Sequence, residues 1–509
     1  AGQIYALKTV FAEDRQMLEE MRQECAIQRS LDHPNIVRVY ESFEADGNAV
    51  HIVMELCSGG NLVEKLRESP RGCDETTAAE LTRKVLSAIY YIHQRGFVHR
   101  DIKLDNIMYE NKLPGAEPKL IDFGFACKVM KGHESIEGRY GTLSYMAPEL
   151  LDTKEKGPYE SSVDLWSIGV TVYTLLTGRK PFDHEDREVK KILIRQASPS
   201  FSNSRWSHHS PHAMDFVKCL MRGDPAMRLS ASQALRHPWF SGLDLCVRRS
   251  LRHRTTPAKL TSVMVQSLQA FASAALFTRM TLEVVAFFTS PLHLREVRHV
   301  FAALDADFSG TLSRSEFVGA LAQHREVPTK EAHAIFDGID FNSSGQLELN
   351  EFCAALVWTN LSESDGMSAI KHSFQLLDKN RDGVLTLPDL QATFGKILNQ
   401  EALVAAMRSF GTVYDRIDIH DFHQIVSDVA QPLWSRKSRH RSRGTRQCQL
   451  VPDLWGISRR SSRDLVPIYP PDVMSSCTSL QRSSSHSPIQ IRMQFSLTTP
   501  KLRRFSSDP

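Results

Sequence analysis

The run His99-Arg100-Asp101-Ile102-Lys103-Leu104-Asp105-Asn106 and, after two short apolar stretches that read as strands, Ile121-Asp122-Phe123-Gly124 carry residue types that phosphoryl transfer requires. That reaction asks little covalent chemistry of a protein. It needs a carboxylate to orient the attacking hydroxyl and oxygen ligands to hold magnesium on the phosphates. Asp101 is the candidate base, Lys103 the group that neutralises the transferring phosphoryl, and Asn106 with Asp122 the metal ligands. An Asp and an Asn in a turn are ordinary loop chemistry on their own; two motifs in this order are not.

The elements that must position these groups lie on both sides. Ile4-Tyr5-Ala6-Leu7-Lys8 alternates like a strand, and a helical face follows at Leu18, Met21 and Cys25. Lys8 and Glu24 are spaced to form a strand-to-helix ion pair that aligns ATP phosphates. No GxGxxG stands before Lys8, so the sequence is expected to begin partway into its first domain, without a glycine-rich roof over the nucleotide. Val50 to Met54 reads as a buried strand, Glu55-Leu56-Cys57 as a hinge for adenine, and Met54 as the residue at the back of that pocket. A helix is expected over Thr76 to Arg95, ended by Gly96. Asp164 is read as bracing the catalytic loop and Arg228 as the partner of Glu149. Between Phe125 and Tyr140 there is only Ser135, flanked by Glu134 and Glu137, so Arg100 is expected to meet fixed acid.

On these motifs residues 1–240 resemble a eukaryotic protein kinase domain of the calmodulin-dependent group. The resemblance implies a bilobal α+β fold with an incomplete amino-terminal lobe, and serine/threonine specificity through Lys103. Two positions depart from the family pattern: Asn61 stands where relatives often carry an acid that contacts ribose and basic substrates, and Leu104 replaces a common proline. Asp105 still offers a carboxylate to a basic substrate.

A second constellation starts at Asp305. Asp305, Asp307, Ser309, the Thr311 carbonyl, Ser313 and Glu316 fall at positions 1, 3, 5, 7, 9 and 12 around Gly310, the pattern of an EF-hand calcium loop. The pattern recurs with Asp340, Asn342, Ser344, the Gln346 carbonyl, Glu348 and Glu351 around Gly345. It recurs again with Asp378, Asn380, Asp382, the Val384 carbonyl, Thr386 and Asp389 around Gly383. Asp389 is shorter than the usual glutamate, which predicts weaker binding or tolerance of magnesium. A fourth unit ending at Asp421 has Phe410 in first position, so it is read as a calcium-silent partner.

A kinase domain followed by four such units resembles the calcium-dependent protein kinases over residues 1–430. That resemblance implies ATP, Mg2+ and Ca2+ as cofactors and protein substrates bearing Ser or Thr near basic residues. It also implies an autoinhibitory junction at 241–293 that calcium-loaded hands, in an all-α domain at 294–430, draw away from the catalytic cleft. Arg248, Arg249, Arg252 and Arg254, then Met264, Leu268, Phe271 and Phe277 along one side of a helix, fit a calmodulin-target segment; the alternative is a basic linker followed by a core helix.

Composition sets the remaining bounds. With 509 residues, 41% hydrophobic and 24% charged, the chain has room for about three soluble domains, and its apolar runs fall short of a membrane span. Nine scattered cysteines without CxxC spacing argue against disulfides and zinc and for a reducing, cytoplasmic setting. Residues 431–509 hold fourteen Lys plus Arg against four Asp, so a tail of net +10 follows a body of net −7. That Ser/Arg-rich tail is expected to be disordered, with Arg503-Arg504-Phe505-Ser506 shaped like a basophilic phosphorylation site. Nothing specifies nucleic acid, and membrane contact has no support beyond charge. The competing reading from another class is a calcium-sensing scaffold whose kinase fold does not turn over; the complete catalytic set speaks against it.

Overall fold

The computed structural model describes residues 4–45, 48–129, 141–151, 161–202, 204–241, 259–324, 327–360, 363–395, 398–408, 416–426 and 492–494. The expectations about Ser135, about the arginines at 248, 249, 252 and 254 and about Phe410 fall outside these residues, as does the Ser/Arg-rich tail except for 492–494, which form a strand where disorder was expected.

The chain opens with β1 (Tyr5–Phe11), α1 (Arg15–Arg29), β2 (Val39–Ala45) and β3 (Ala49–Glu55). β3 lies between β1 and β2 in the antiparallel sheet, with Lys8 opposite Ile52 and Phe43 opposite His51. Asp14 caps α1 by accepting from Met17 N–H at 2.7 Å. The helix then buries Met21 and Cys25 against Val10, Val39, Val50 and Ile52, and this packing turns Glu24 inward.

The larger lobe follows with α2 (Leu62–Glu68), α3 (Glu75–Gln94), β4 (Phe97–Val98), β5 (Ile107–Tyr109), β6 (Pro118–Leu120), β7 (Cys127–Lys128), α4 (Ser162–Thr177), α5 (Arg187–Gln196), α6 (Pro211–Leu220) and α7 (Ala231–Leu235). The hairpins β4/β7 and β5/β6 carry the two motif loops. α3 buries Leu81, Val85, Ala88 and Ile92, the helical stripe expected from the sequence. α4 is buried on every side, and it brings Asp164 up under the catalytic loop. Arg228 is fully buried and meets Glu149 through both guanidinium nitrogens, at 2.6 and 2.7 Å.

The helical half comprises α8 (Ser262–Ser273), α9 (Leu276–Phe288), α10 (Arg295–Leu304), β8 (Leu312–Ser313), α11 (Arg314–Leu321), α12 (Thr329–Ile339), β9 (Gln346–Leu347), α13 (Leu349–Asn360), α14 (Glu363–Leu377), β10 (Val384–Leu385), α15 (Leu387–Phe394), α16 (Gln400–Arg408) and β11 (Ile417–Asp418). β8 pairs with β9 and β10 with β11, so the four units associate two by two, the fourth through Ile417 opposite Leu385. A last strand, β12 (Arg492–Gln494), lies beside β1 with Met493 opposite Lys8.

From Leu260 onward the segment expected as a separate junction belongs to the core of this half. Met264, Leu268, Phe271 and Phe277 are all buried in one cluster with Phe301, Phe336 and Phe352.

The two halves touch along the segment between α1 and β2. Arg298 on α10 reaches Glu110 at 2.9 Å and the Pro34 carbonyl at 3.2 Å. Arg38 donates to the Phe287 carbonyl at 2.9 Å, and Tyr40 stacks on Phe288. The His33 ring lies against Gly310, where an added Cβ would fall 2.1 Å from Cδ2 of the imidazole.

Removing one partner of a buried ion pair typically costs about 3–5 kcal/mol. Arg228→Ala should therefore strongly lower the melting transition of the kinase half in scanning calorimetry.

Candidate active site and calcium loops

Asp164 fixes the catalytic loop. Its carboxylate, wholly buried, accepts from His99 N–H at 2.9 Å, Arg100 N–H at 2.8 Å and His93 Nε2 at 2.9 Å. Burial works against its charge, but these donors hold its pKa below the usual carboxylate range. Arg100 takes a left-handed backbone, φ +68°, and its side chain donates to the Phe125 carbonyl. That turn aims Asp101 into the cleft. The Asp122 backbone is left-handed as well, φ +62°.

Around Asp101 three side chains converge. Lys103 Nζ lies 2.6 Å from Asp101 Oδ2, and Asn106 Nδ2 donates to the same oxygen at 3.0 Å and to the Asp101 carbonyl at 2.9 Å. Thr142 Oγ1 donates to Asp101 Oδ1 at 3.1 Å and accepts from Lys103 at 3.0 Å. Thr142 was not among the residues singled out in the sequence; its position directly after Gly141 was the available signal. Gly141 has φ +109°, and a Cβ there would strike the Arg100 carbonyl at 2.7 Å, so this close approach depends on glycine.

Lys8 bridges the lobes, with its ammonium 2.9 Å from Glu24 and 2.9 Å from Asp122. Burial opposes its charge, but the two carboxylates overcome this and raise its pKa. Burial pushes Asp122 up, but the charge and hydrogen bond of Lys8, with Lys103 beyond it, bring its pKa below the usual range. His99, buried and neutral, packs edge-on against Phe123 at 4.7 Å and holds this arrangement from behind. At the hinge, Glu55 N–H donates to the Arg38 carbonyl, and its side chain turns away from the cleft to meet Lys119 at 2.9 Å. Burial would raise Glu55, but Lys119, Arg298 and Arg38 hold it ionised. Asn61 uses its side-chain oxygen to cap α2, accepting from Glu64 N–H at 2.9 Å. Asp105 is exposed, and Leu104 fills the core where a proline was the common choice.

The three calcium loops repeat one geometry. Position 4 is left-handed in each, at Phe308, Ser343 and Arg381, as is the glycine at position 6. The first-position carboxylate accepts from that glycine's N–H: Asp305 from Gly310 at 2.9 Å, Asp340 from Gly345 at 2.8 Å and Asp378 from Gly383 at 2.9 Å. The twelfth-position acid accepts from backbone on both arms of its loop. Glu316 takes Ala306 and Ser313, Glu351 takes Phe341 and Glu348, and Asp389, though shorter, takes Lys379 and Thr386.

The donor set fits a hard cation. Carboxylate oxygens of Asp305, Asp307 and Glu316 lie within 4.8 Å of one another, and Asp378 Oδ1 is buried without a hydrogen-bond partner among the described residues. Burial first, then Asp307 and Glu316, push Asp305 up to about 8, a crowding of negative charge that a divalent ion relieves.

A second cluster of possible metal ligands, Asp215, Cys219 and His237, fails the same test. Trp239 N–H donates to His237 Nδ1 at 3.2 Å, which leaves the proton on Nε2, facing Asp215 at 3.2 Å. A metal would need that lone pair, so the cluster is a hydrogen-bonded cap on the turn Pro238–Phe240.

Nucleotide cleft, catalytic carboxylate and calcium loops on one chain define a protein kinase joined to a calcium sensor. Residues 1–240 match the protein kinase domain family, 294–357 the EF-hand domain pair and 370–394 the EF hand. The chain is 30% identical over 433 residues to calcium-dependent protein kinase 17 of Arabidopsis thaliana, covering 84% of this chain and 75% of that protein. It is 26% identical over 442 residues to calcium-dependent protein kinase 5 of Plasmodium falciparum (isolate 3D7), covering 84% and 74%. It is 29% identical over 436 residues to calcium-dependent protein kinase 3 of Oryza sativa subsp. japonica, covering 84% and 75%. The chain belongs to the calcium-dependent protein kinases, which are serine/threonine kinases.

Thr142→Val removes one hydrogen bond to Asp101, worth about 1 kcal/mol or somewhat more. We expect phosphoryl transfer to fall roughly tenfold with little change in KM for ATP, as read by steady-state kinetics. Glu316→Gln should remove the first loop's calcium from the stoichiometry measured by calorimetric titration.

Proposed function

We propose that this chain is a catalytically competent, calcium-activated serine/threonine kinase regulated by its own EF-hand half. The observation that carries this reading is the joined cluster in which Lys8 holds Glu24 and Asp122 together while Asp101, Lys103, Asn106 and Thr142 interlock below. A chain selected only as a scaffold has no chemical need for the complete set.

In this reading Asp101 orients the substrate hydroxyl and accepts its proton, and Lys103 offsets charge on the transferring phosphoryl. Lys8, fixed by Glu24, steadies the nucleotide phosphates, while the Glu55 carbonyl and the Cys57 backbone meet adenine beside Met54. Asn106 and Asp122 would hold magnesium, which draws negative charge from the phosphate oxygens when bound. Asp105, exposed at the cleft mouth, favours substrates with basic residues near the acceptor, whereas Asn61, committed to its helix cap, adds little to that preference.

For regulation, burial of Met264, Leu268, Phe271 and Phe277 in the helical core supports a junction that the hands capture. Calcium shifts that equilibrium only by its differential affinity for the capturing state. Among the described residues no helix is long and apolar enough to cross a membrane, and the described cysteines are free. We place the enzyme in the cytoplasm.

The test is phosphate transfer from labelled ATP to a basic serine peptide, with calcium and with chelator, for the wild type and for Asp101→Asn. Transfer should be stimulated by calcium and fall by a factor on the order of 10²–10⁴ in the variant. Calcium binding without transfer in either condition would favour the scaffold reading.

A further inference from the structure

The second calcium loop leaves its ion-binding arc on the side that faces the kinase half, and there the kinase half takes hold of it at two points. Glu348 is at position 9, whose oxygen faces the ion directly or through water in an EF-hand. Here Glu348 Oε1 instead accepts from Arg95 at 2.7 Å, in a contact where both side chains are about one quarter exposed. Two residues on, Asn350 N–H donates to Asp32 Oδ2 at 2.5 Å, immediately before Glu351.

The grip is built in, because each member is fixed from behind. Arg95 ends α3 and stacks on Tyr91, 3.6 Å from the ring centroid. The Tyr91 hydroxyl accepts from Asp32 N–H at 2.9 Å, and Asp32 Oδ1 accepts from Arg38 at 3.0 Å. The charged groups facing Glu348 include Asp32, Asp340, Glu351 and Glu283, and the cation it meets among the described residues is Arg95.

The other two loops differ at this position. Ser313 and Thr386 stand at position 9 and turn their hydroxyls back on their own loops, to Glu316 at 2.7 Å and to Asp389 at 2.5 Å. Among the three described loops the second alone has an acid at position 9, and that acid is turned outward to a guanidinium.

We propose that Arg95 of the kinase half competes with calcium for Glu348. The second loop then binds the ion more weakly while it is seated on this face. By reciprocity, calcium in that loop weakens the Arg95 contact and with it the seating of the two halves. This rests on the reading of the loop at Asp340 as a calcium site, and it gives the regulation proposed above a named point of contact. The second loop thereby reports on domain contact through a ligand position of its own, which the first and third loops keep within their own turns.

The test is a calorimetric calcium titration of the full chain carrying Asp305→Ala and Asp378→Ala, which isolates the second loop. Arg95→Met keeps the aliphatic stem on Tyr91 and removes the charge; it should tighten calcium binding by about fivefold or more. Arg95→Gln should give the same shift, and near-ultraviolet circular dichroism checks that both variants keep their packing. In a Glu348→Gln background the effect of Arg95→Met should vanish. Equal affinity with and without Arg95, or an effect that persists in the Glu348→Gln background, overturns the competition and leaves the calcium site standing. A second loop that takes no calcium in any of these proteins overturns both.

Discussion

One buried carboxylate holds the catalytic half in working order. Asp164 rises from the interior of α4 and satisfies two backbone amides of the catalytic loop together with a histidine. A loop that must turn through a left-handed arginine would relax without such an anchor. An ionised group is tolerated in that interior because three donors point at it. The placement of Asp101, Lys103 and Asn106 and their contact with Thr142 all descend from this bond set. Lys8 does the equivalent work across the lobes, since one ammonium shared by two acids makes the position of α1 and that of Asp122 a single variable.

The calcium half obeys a different logic. Its core is assembled from helices that no single EF-hand could cover, and α8 and α9 supply the missing apolar surface. Its border with the kinase half is ionic and aromatic: Arg298 with Glu110, Arg38 over Phe287, Arg83 over Phe308 and Tyr40 with Phe288. Such a seam fixes register through direction and charge, and its buried pairs add specificity more readily than net stability.

Much of this was legible in the sequence wherever function demands fixed spacing. The catalytic run, the Asp122 motif and the oxygen positions of three loops are local patterns that chemistry imposes, and the ion pair of Lys8 with Glu24 lies where its spacing placed it. Contacts between distant segments were not legible. Nothing in the composition of residues 95 and 348 pairs them, and the apolar side of α8 could not say which surface covers it, because an amphipathic stripe specifies burial and leaves the partner open. Asn61 shows a subtler limit. It stands where relatives often carry an acid that contacts ribose and basic substrates, but a short polar side chain ahead of a helix finds backbone amides first.

The glycine at the sixth loop position shows how the joined halves restrict one another's sequence drift. At Gly345 and Gly383 an added Cβ would meet open space, so those positions answer only to a left-handed backbone, which an asparagine tolerates. At Gly310 the imidazole of His33 closes that latitude. Descendants of this chain can vary Gly345 and Gly383 one at a time, but a change at residue 310 must wait for one at residue 33, in the other domain. The ancestry of the two halves is in this respect no longer separable.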